Sequence, residues 1–172
     1  LLVVLAIIGI LLGVSGLGLM GNLPDYRLKS AARELVSNLQ QARIEAVKSN
    51  MRVRVVFDTA NARYAISVDS GADGVWSTIG DNDNMKIVSL VQYSSGVVFG
   101  SGAATFDATA DQGALPGDSV SYNSNVATYN PRGTSSGGYV YLENQENDAF
   151  AVGTTSTGTI MIYRWDGSGW NE

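Results

Sequence analysis

Polar and apolar positions divide the chain into three stretches with different periods. From Leu1 to Met20 Ser15 is the only polar side chain, so the run LLVVLAIIGILLGVSGLGLM has no polar face at any period. From Asp25 to Asn50 the apolar residues Leu28, Ala31, Ala32, Leu35, Leu39, Ala42 and Ala46 recur at spacings of three and four, opposite Ser30, Arg33, Ser37, Gln41 and Lys48. That spacing predicts an amphipathic helix. Pro24 suits its start and Asn50 its C-terminal cap. Ile44 projects from the polar side as a candidate subunit contact.

After Met51 the period shortens to two. MRVRVVF (Met51 to Phe57) and RYAISV (Arg63 to Val68) flank the turn DTANA and predict an antiparallel hairpin with alternating inward and outward residues. Further strands are expected at Lys86 to Val91, Gly96 to Gly100, Gly138 to Leu142, Ala149 to Gly153 and Thr159 to Arg164, with a loop from Ser101 to Ser124. Together they would cover the helix's apolar stripe with one or two small sheets. The fold class is α+β: a long N-terminal helix, hydrophobic then amphipathic, packed on a mostly antiparallel β head. The expected units are 1–24, a membrane or filament-core helix; 25–50, the amphipathic helix; and 51–172, the β-rich head. One compact head is all that 172 residues lead us to expect.

The opening run admits three uses: a secretory signal, a membrane span, or a helix that leaves the membrane to pack on copies of itself. Leu1 to Leu12 matches the apolar core of a signal, but no basic region precedes it and no A-x-A site follows. Twenty helical residues would span about 30 Å, enough to cross a bilayer's hydrocarbon core. Leu1, Leu2, Val3, Val4, Leu5, Ile7, Ile8, Ile10, Leu11 and Leu12 are its lipid- or filament-facing candidates. Gly13, Gly16 and Gly18 each lower helix propensity by up to about 1 kcal/mol, so the second half is the meltable one. Arg27, Lys29 and Arg33 would by the positive-inside rule favour a cytoplasmic head, unless basic residues precede Leu1.

Composition removes several chemistries. The chain has no cysteine and no histidine, which excludes a disulfide framework and a thiolate zinc site and removes the commonest general base. Its net charge of −5 is uneven: residues 25–54 carry seven Lys or Arg against three Asp or Glu (+4), and residues 55–172 carry four against thirteen (−9). An acidic head is a poor partner for nucleic acid. Gly133-Thr134-Ser135-Ser136-Gly137 matches G-x-S-x-G, but a nucleophile elbow needs a strand before it, a helix after it and a histidine, so a glycine-rich turn is expected. Asp69, Asp73, Asp81 and Asp83 offer hard oxygen ligands suited to calcium, without EF-hand spacing, and plain turn chemistry is the competing reading. Trp76, Trp165 and Trp170 suit either a β core or an exposed platform, Trp165 and Trp170 near the C-terminus being candidate partner contacts.

Two stretches carry a family resemblance. LLVVLAIIGIL resembles the N-terminal helix of type IV pilins and type II secretion pseudopilins, whose mature chains usually begin Phe-Thr-Leu-Ile-Glu, a segment not part of this sequence. AARELVSNLQQARIEAVKSNMRVRVVFD resembles the GspH/FimT class of minor pseudopilins, with Ala42-Arg43-Ile44-Glu45-Ala46 at its Ala-Arg-x-Glu-Ala element; NPRGTSSGGYVYL and TSTGTIMIYRWDGSGW are similar to that class as well. The resemblance implies a non-enzymatic filament subunit held in the bacterial inner membrane, head outside. It implies a basic leader removed by prepilin peptidase, and partners among other pseudopilins or pilins and the secretion or pilus assembly platform. No cofactor is implied, although some pseudopilins bind calcium in head loops. Some FimT-like minor pilins bind DNA through Gly-Arg-x-Arg; the matching Gly158-Thr159-Ile160-Met161 lacks both arginines, leaving only Arg132 and Arg164 nearby. A type II secretion pseudopilin is the leading expectation, with a type IV minor pilin and a membrane-anchored glycan- or protein-binding β domain as the alternatives.

Overall fold

The computed structural model describes residues 23–94 and 96–172. The apolar run from Leu1 to Met20, and with it the expected membrane or filament-core helix, lies outside the described residues. Among those described, no helix is long and apolar enough to cross a membrane.

Helix α1 runs over Leu23–Ser49, about 40 Å at 1.5 Å per residue. Pro24 lies in its first turn, where a missing N–H breaks no helical bond. Asp25 near the start and Lys48 near the end complement the helix dipole. Asn50, at φ +55°, takes the left-handed conformation that ends many helices. Leu28, Ala31, Ala32, Leu35, Leu39, Ala42 and Ala46 are all buried, and so is Asn38, a polar residue in the same stripe. Alanine at four of these positions lets the sheets approach the helix backbone closely.

Two antiparallel sheets provide the cover. The first has the order β3-β2-β1-β5, with β1 at Val53–Asp58, β2 at Arg63–Asp69, β3 at Asp83–Ser89 and β5 at Val126–Tyr129. The second has the order β4-β6-β7-β8-β9, with β4 at Val98–Phe99, β6 at Gly138–Glu143, β7 at Ala149–Thr154, β8 at Ile160–Trp165 and β9 at Trp170–Asn171. Helix α1 contacts β1 and β5 of one sheet and β6, β7 and β8 of the other, so both sheets share its apolar stripe. Their common core contains Leu28, Leu35 and Leu39 with Val55, Phe57, Tyr64, Ile66, Val140, Leu142 and Val152. Phe57 stacks on Tyr122, centroids 5.8 Å apart, and meets Phe99 edge-on at 6.3 Å, which ties the two sheets together.

Several boundaries differ from those the pattern predicts. Strand β1 begins at Val53 rather than Met51, and β3 starts at Asp83 and gives way to a 3-10 turn over Leu90–Tyr93. Strands β5 and β9 were not expected: each is short, and pairing supplies what local sequence lacks, Val53 opposite Tyr129 and Trp165 opposite Trp170. The Ser101 to Ser124 stretch contains no strand, yet Val120 and Tyr122 are buried and Val120 bridges to Val140.

The expected alternation of β1 and β2 also needs correcting. Val53, Val55, Phe57, Tyr64 and Ile66 join the main core, but Val56 and Ala65, on the opposite face, are buried too, beneath Ile79, Trp76 and Val126. The acidic segment from Asp69 to Asn84 is therefore a cover for the outer face, with Ile79 only 2% exposed, rather than a fully solvated loop.

Leu35→Ala should cost roughly 2–5 kcal/mol through lost burial and a residual cavity, and Leu35→Asp or Leu39→Asp should abolish the cooperative transition by burying an unpaired charge. Urea denaturation followed by tryptophan fluorescence reads both effects; a Leu35→Asp protein with an unchanged midpoint would contradict this packing.

Candidate functional site: the helix and its exposed ridge

Helix α1 is fixed at its middle, its C-terminal half and its N-terminal end. In the middle, a polar network links it to the first sheet. The Asn38 amide donates to the Tyr64 hydroxyl at 2.7 Å, while Lys86 Nζ on β3 donates to Asn38 Oδ1 at 3.0 Å and to Glu34 Oε1 at 3.1 Å. The Tyr93 hydroxyl donates to the other Glu34 oxygen. These bonds explain how an amide is tolerated inside an apolar stripe. Glu34 is held below the usual carboxylate range, first by the Tyr93 hydrogen bond and then, against opposing desolvation, by Lys86. Burial and the same carboxylate push Tyr93 up to about 12.

In the C-terminal half, Arg43 Nε donates to the Gly133 carbonyl at 3.0 Å, across the turn between β5 and β6. The turn between β7 and β8 closes on the same point, since a Cβ on Gly158 would stand 2.1 Å from the Gly133 oxygen. At the N-terminal end, Arg164 on β8 pairs with Asp25 at 2.9 Å and Asp148 at 3.6 Å.

The helix face turned away from the sheets is thereby presented as a fixed surface. Ile44 is 64% exposed, Val47 52% and Met51 53%. Three residues apart, Ile44 and Val47 are neighbours on one helix face, and Met51 is exposed just past the helix end, after Asn50 turns the chain. Leu23 and Tyr26 are exposed at the opposite end, and Ser30, Arg33, Ser37, Gln40 and Gln41 lie between.

Other residues singled out by sequence fall as follows. Leu28, Leu35, Leu39, Ala42 and Ala46 lie beneath the sheets and are unavailable to a partner. Trp165, expected as a contact, is instead buried: Phe106 meets it edge-on at 5.1 Å and Trp170 at 5.4 Å. Trp170 is half-buried, packs on Tyr141 and donates its Nε1–H to the Phe106 carbonyl at 2.8 Å. The otherwise strandless 101–124 loop supplies Phe106, which is why sequence left these tryptophans near the C-terminus without cover. Gly133 to Gly137 forms the turn joining β5 to β6, with Gly133 at φ +78°.

The four aspartates do not converge. Asp69 and Asp73 accept from the nearby backbone N–H groups of Ser70 and Val75 at 2.6 and 2.7 Å, and Asp81 accepts from the Asp73 N–H at 3.3 Å. Asp83 is exposed on β3, and among the described residues no three acidic side chains gather as a metal cage. Sequence reasoning missed Asn38, Glu34, Lys86 and Tyr93 because the network joins residues up to 59 positions apart. It also missed Val47, whose spacing of three from Ile44 places it on the same helix face, and Met51, whose exposure follows from the turn at Asn50.

A helix clamped beneath two antiparallel sheets, with its outer face bare, is the architecture of a pilin-type filament subunit. The family profile described as type II transport protein GspH matches residues 31–159, and the chain belongs to that family. The fold is similar to two structures of the minor pseudopilin EpsH from the type 2 secretion system of Vibrio cholerae. One has a TM-score of 0.53 at 13% identity, covering 80% of this chain and 97% of EpsH; the other has 0.51 at 15%, covering 81% and 94%. The type IV minor pilin FimU of Pseudomonas aeruginosa is similar at a TM-score of 0.50 and 15% identity, covering 86% and 95%. No curated protein matches the chain by sequence.

Two tests follow from this anchoring. A depressed carboxyl pKa contributes stability above the unfolded-state value, lost as pH falls through the folded-state value. Glu34→Gln should therefore be less stable than the parent at pH 7, and the difference should shrink as pH drops below about 4.5, the ordinary glutamate value; thermal melts from pH 7 to 3 measure it, and a constant difference would contradict the network. Gly158→Ala should destabilise well beyond Gly74→Ala, because both sites have positive φ but only Gly158 faces another backbone. Gly74→Ala should cost about 1–2 kcal/mol, and comparison of urea midpoints separates the two.

Proposed function

We propose that this chain is a minor pseudopilin of a type II secretion system, a non-enzymatic structural subunit at or near the tip of the pseudopilus. The observation that carries the reading is the exposed pair Ile44 and Val47, with Met51 just beyond, on a helix whose other face is fully committed to its own head. Membership of the GspH family supports assembly with other pilin-like subunits. In this reading Leu1 to Met20 anchors the chain in the bacterial inner membrane with the head on the periplasmic side, then packs against neighbouring helices when the subunit leaves the bilayer. Apolar burial at about 25 cal/mol per Å² makes that packing favourable once lipid is left behind. A prepilin peptidase acts on the precursor, and the secretion assembly platform receives the mature chain. The likeness to FimU favours a second reading, a minor pilin of a type IV pilus, with the same surface serving the same kind of contact.

Affinity capture of the tagged full-length protein from its native membranes, followed by mass spectrometry, separates these readings. Recovery with other pseudopilins and secretion platform proteins supports the first, and recovery with a major pilin supports the second. Recovery without either would overturn both in favour of a membrane-anchored binding protein.

Ile44→Glu should change head stability by no more than about 0.5 kcal/mol, as for an ordinary surface substitution, while reducing incorporation into the filament. Thermal melts together with quantified secretion or piliation measure the two effects; unimpaired assembly in a folded Ile44→Glu protein would remove Ile44 from the contact.

A further inference from the structure

The outer face of the first sheet, away from α1, carries a groove of about 590 Å³ whose lining includes Arg54, Val75, Trp76, Asn123, Val126 and Thr128. Four separate stretches build it: β1, the loop between β2 and β3, the 3-10 turn with β5, and Ser136 of the turn after β5. The Arg54 guanidinium lies 4.0 Å from the centroid of the Trp76 ring. Stacking occupies a flat face of the guanidinium and leaves its in-plane N–H donors at the edge. Among the described residues no carboxylate pairs with Arg54, and Asp58, further along the same strand, is paired with Arg63 at 2.8 Å.

Arg52, just before β1, lies outside this groove beside Asn130, Pro131 and Arg132. It is exposed, also lacks an ion pair among the described residues, and its charge is felt at Arg54. Partial burial and that like charge both pull Arg54 below the ordinary guanidinium value, an unfavourable state that an anion would relieve. Alternate residues of an extended segment repeat at roughly 6.5 Å, so a strand-like segment with carboxylates at positions i and i+2 can present one to Arg54 while the other stays in the field of Arg52. Val75 and Val126 provide apolar contact alongside, and Asn123 and Thr128 carry groups able to hydrogen-bond a peptide backbone.

We propose that the Arg54–Trp76 groove is a docking site for an extended acidic segment of a partner protein, with carboxylates at alternate positions and one of them held bidentately by Arg54. This goes beyond the assembly surface on α1, lies on the opposite side of the first sheet, and can be tested without any filament. Two cations on a head of net negative charge fit a short acidic peptide better than a polyphosphate, which needs more neutralising contacts and is repelled at long range.

The test uses the ¹⁵N-labelled full-length chain in detergent micelles and follows the three indole N–H resonances, with Trp76 assigned through Trp76→Phe. The probes are acetylated and amidated Gly-Asp-Ser-Asp-Gly, its Gly-Asn-Ser-Asn-Gly isostere, and trigalacturonic acid. The acidic peptide should shift the Trp76 resonance saturably and leave Trp165 and Trp170, which pack in a different cluster, unmoved. The Asn isostere and the Arg54→Gln protein should each bind at least tenfold more weakly, with unchanged Trp165 and Trp170 resonances reporting an intact fold. If Arg54→Gln does not fold, Arg54→Lys replaces it: weaker binding supports bidentate capture, and unchanged affinity overturns it. An unmoved Trp76 resonance, an equal response to the isostere, or a response to trigalacturonic acid alone overturns the proposal, the last in favour of an acidic glycan.

Discussion

The structure depends on covering one face of a single helix. Leu28, Leu35 and Leu39 supply apolar bulk, and Ala31, Ala32, Ala42 and Ala46 hold the surface low enough for strands to lie close against it. No single small sheet is wide enough to cover a helix of about 40 Å, and here the cover is shared. Strand β1 and its neighbours take one flank, and β6, β7 and β8 the other. The aromatic contacts of Phe57 with Tyr122 and Phe99 then close the seam between the sheets.

Committing one helix face inward defines the other as surface. Ile44, Val47 and Met51 have no place in the head's own core, and the Arg43 bond to Gly133 fixes the turn of helix that carries the first two. The polar contacts along α1 accordingly serve position as much as stability. Asn38 and Glu34 cost desolvation that an apolar pair would avoid, but their bonds reach Lys86, Tyr64 and Tyr93 and set the register of the helix against the first sheet.

The outer face of the first sheet shows a second economy. The segment after β2 looks like an acidic turn in sequence, yet Ile79 and Trp76 fold back over Val56 and Ala65, giving the sheet a small second core. That return places the Trp76 ring against Arg54 and creates a groove with a guanidinium at its edge that no carboxylate among the described residues pairs. At the other end of the molecule Phe106 performs a similar role, reaching from an irregular loop to bury Trp165.

By itself the sequence determined what local periodicity can encode. The three- and four-residue spacing from Leu28 to Ala46 marked the helix and its inward face, alternation marked the β1–β2 hairpin, and the absence of histidine and cysteine narrowed the chemistry. The isolated position of Ile44 on the polar side marked one point of the exposed ridge. Tertiary structure decided whatever depended on distant partners. Strand β5 exists because β1 offers it a ladder; Val126, Thr128 and Tyr129 favour a strand, but four residues are too short a run to announce one. Trp165 reads as surface beside a chain terminus until Phe106, 59 residues earlier, covers it. Arg43, Gly133 and Gly158 meet only after the helix and both turns are in place, and Arg54 gains a binding edge only when the β2–β3 loop brings Trp76 onto its face. Hydrophobic period is a property of neighbours in the chain, whereas a clamp or a groove is a property of neighbours in space.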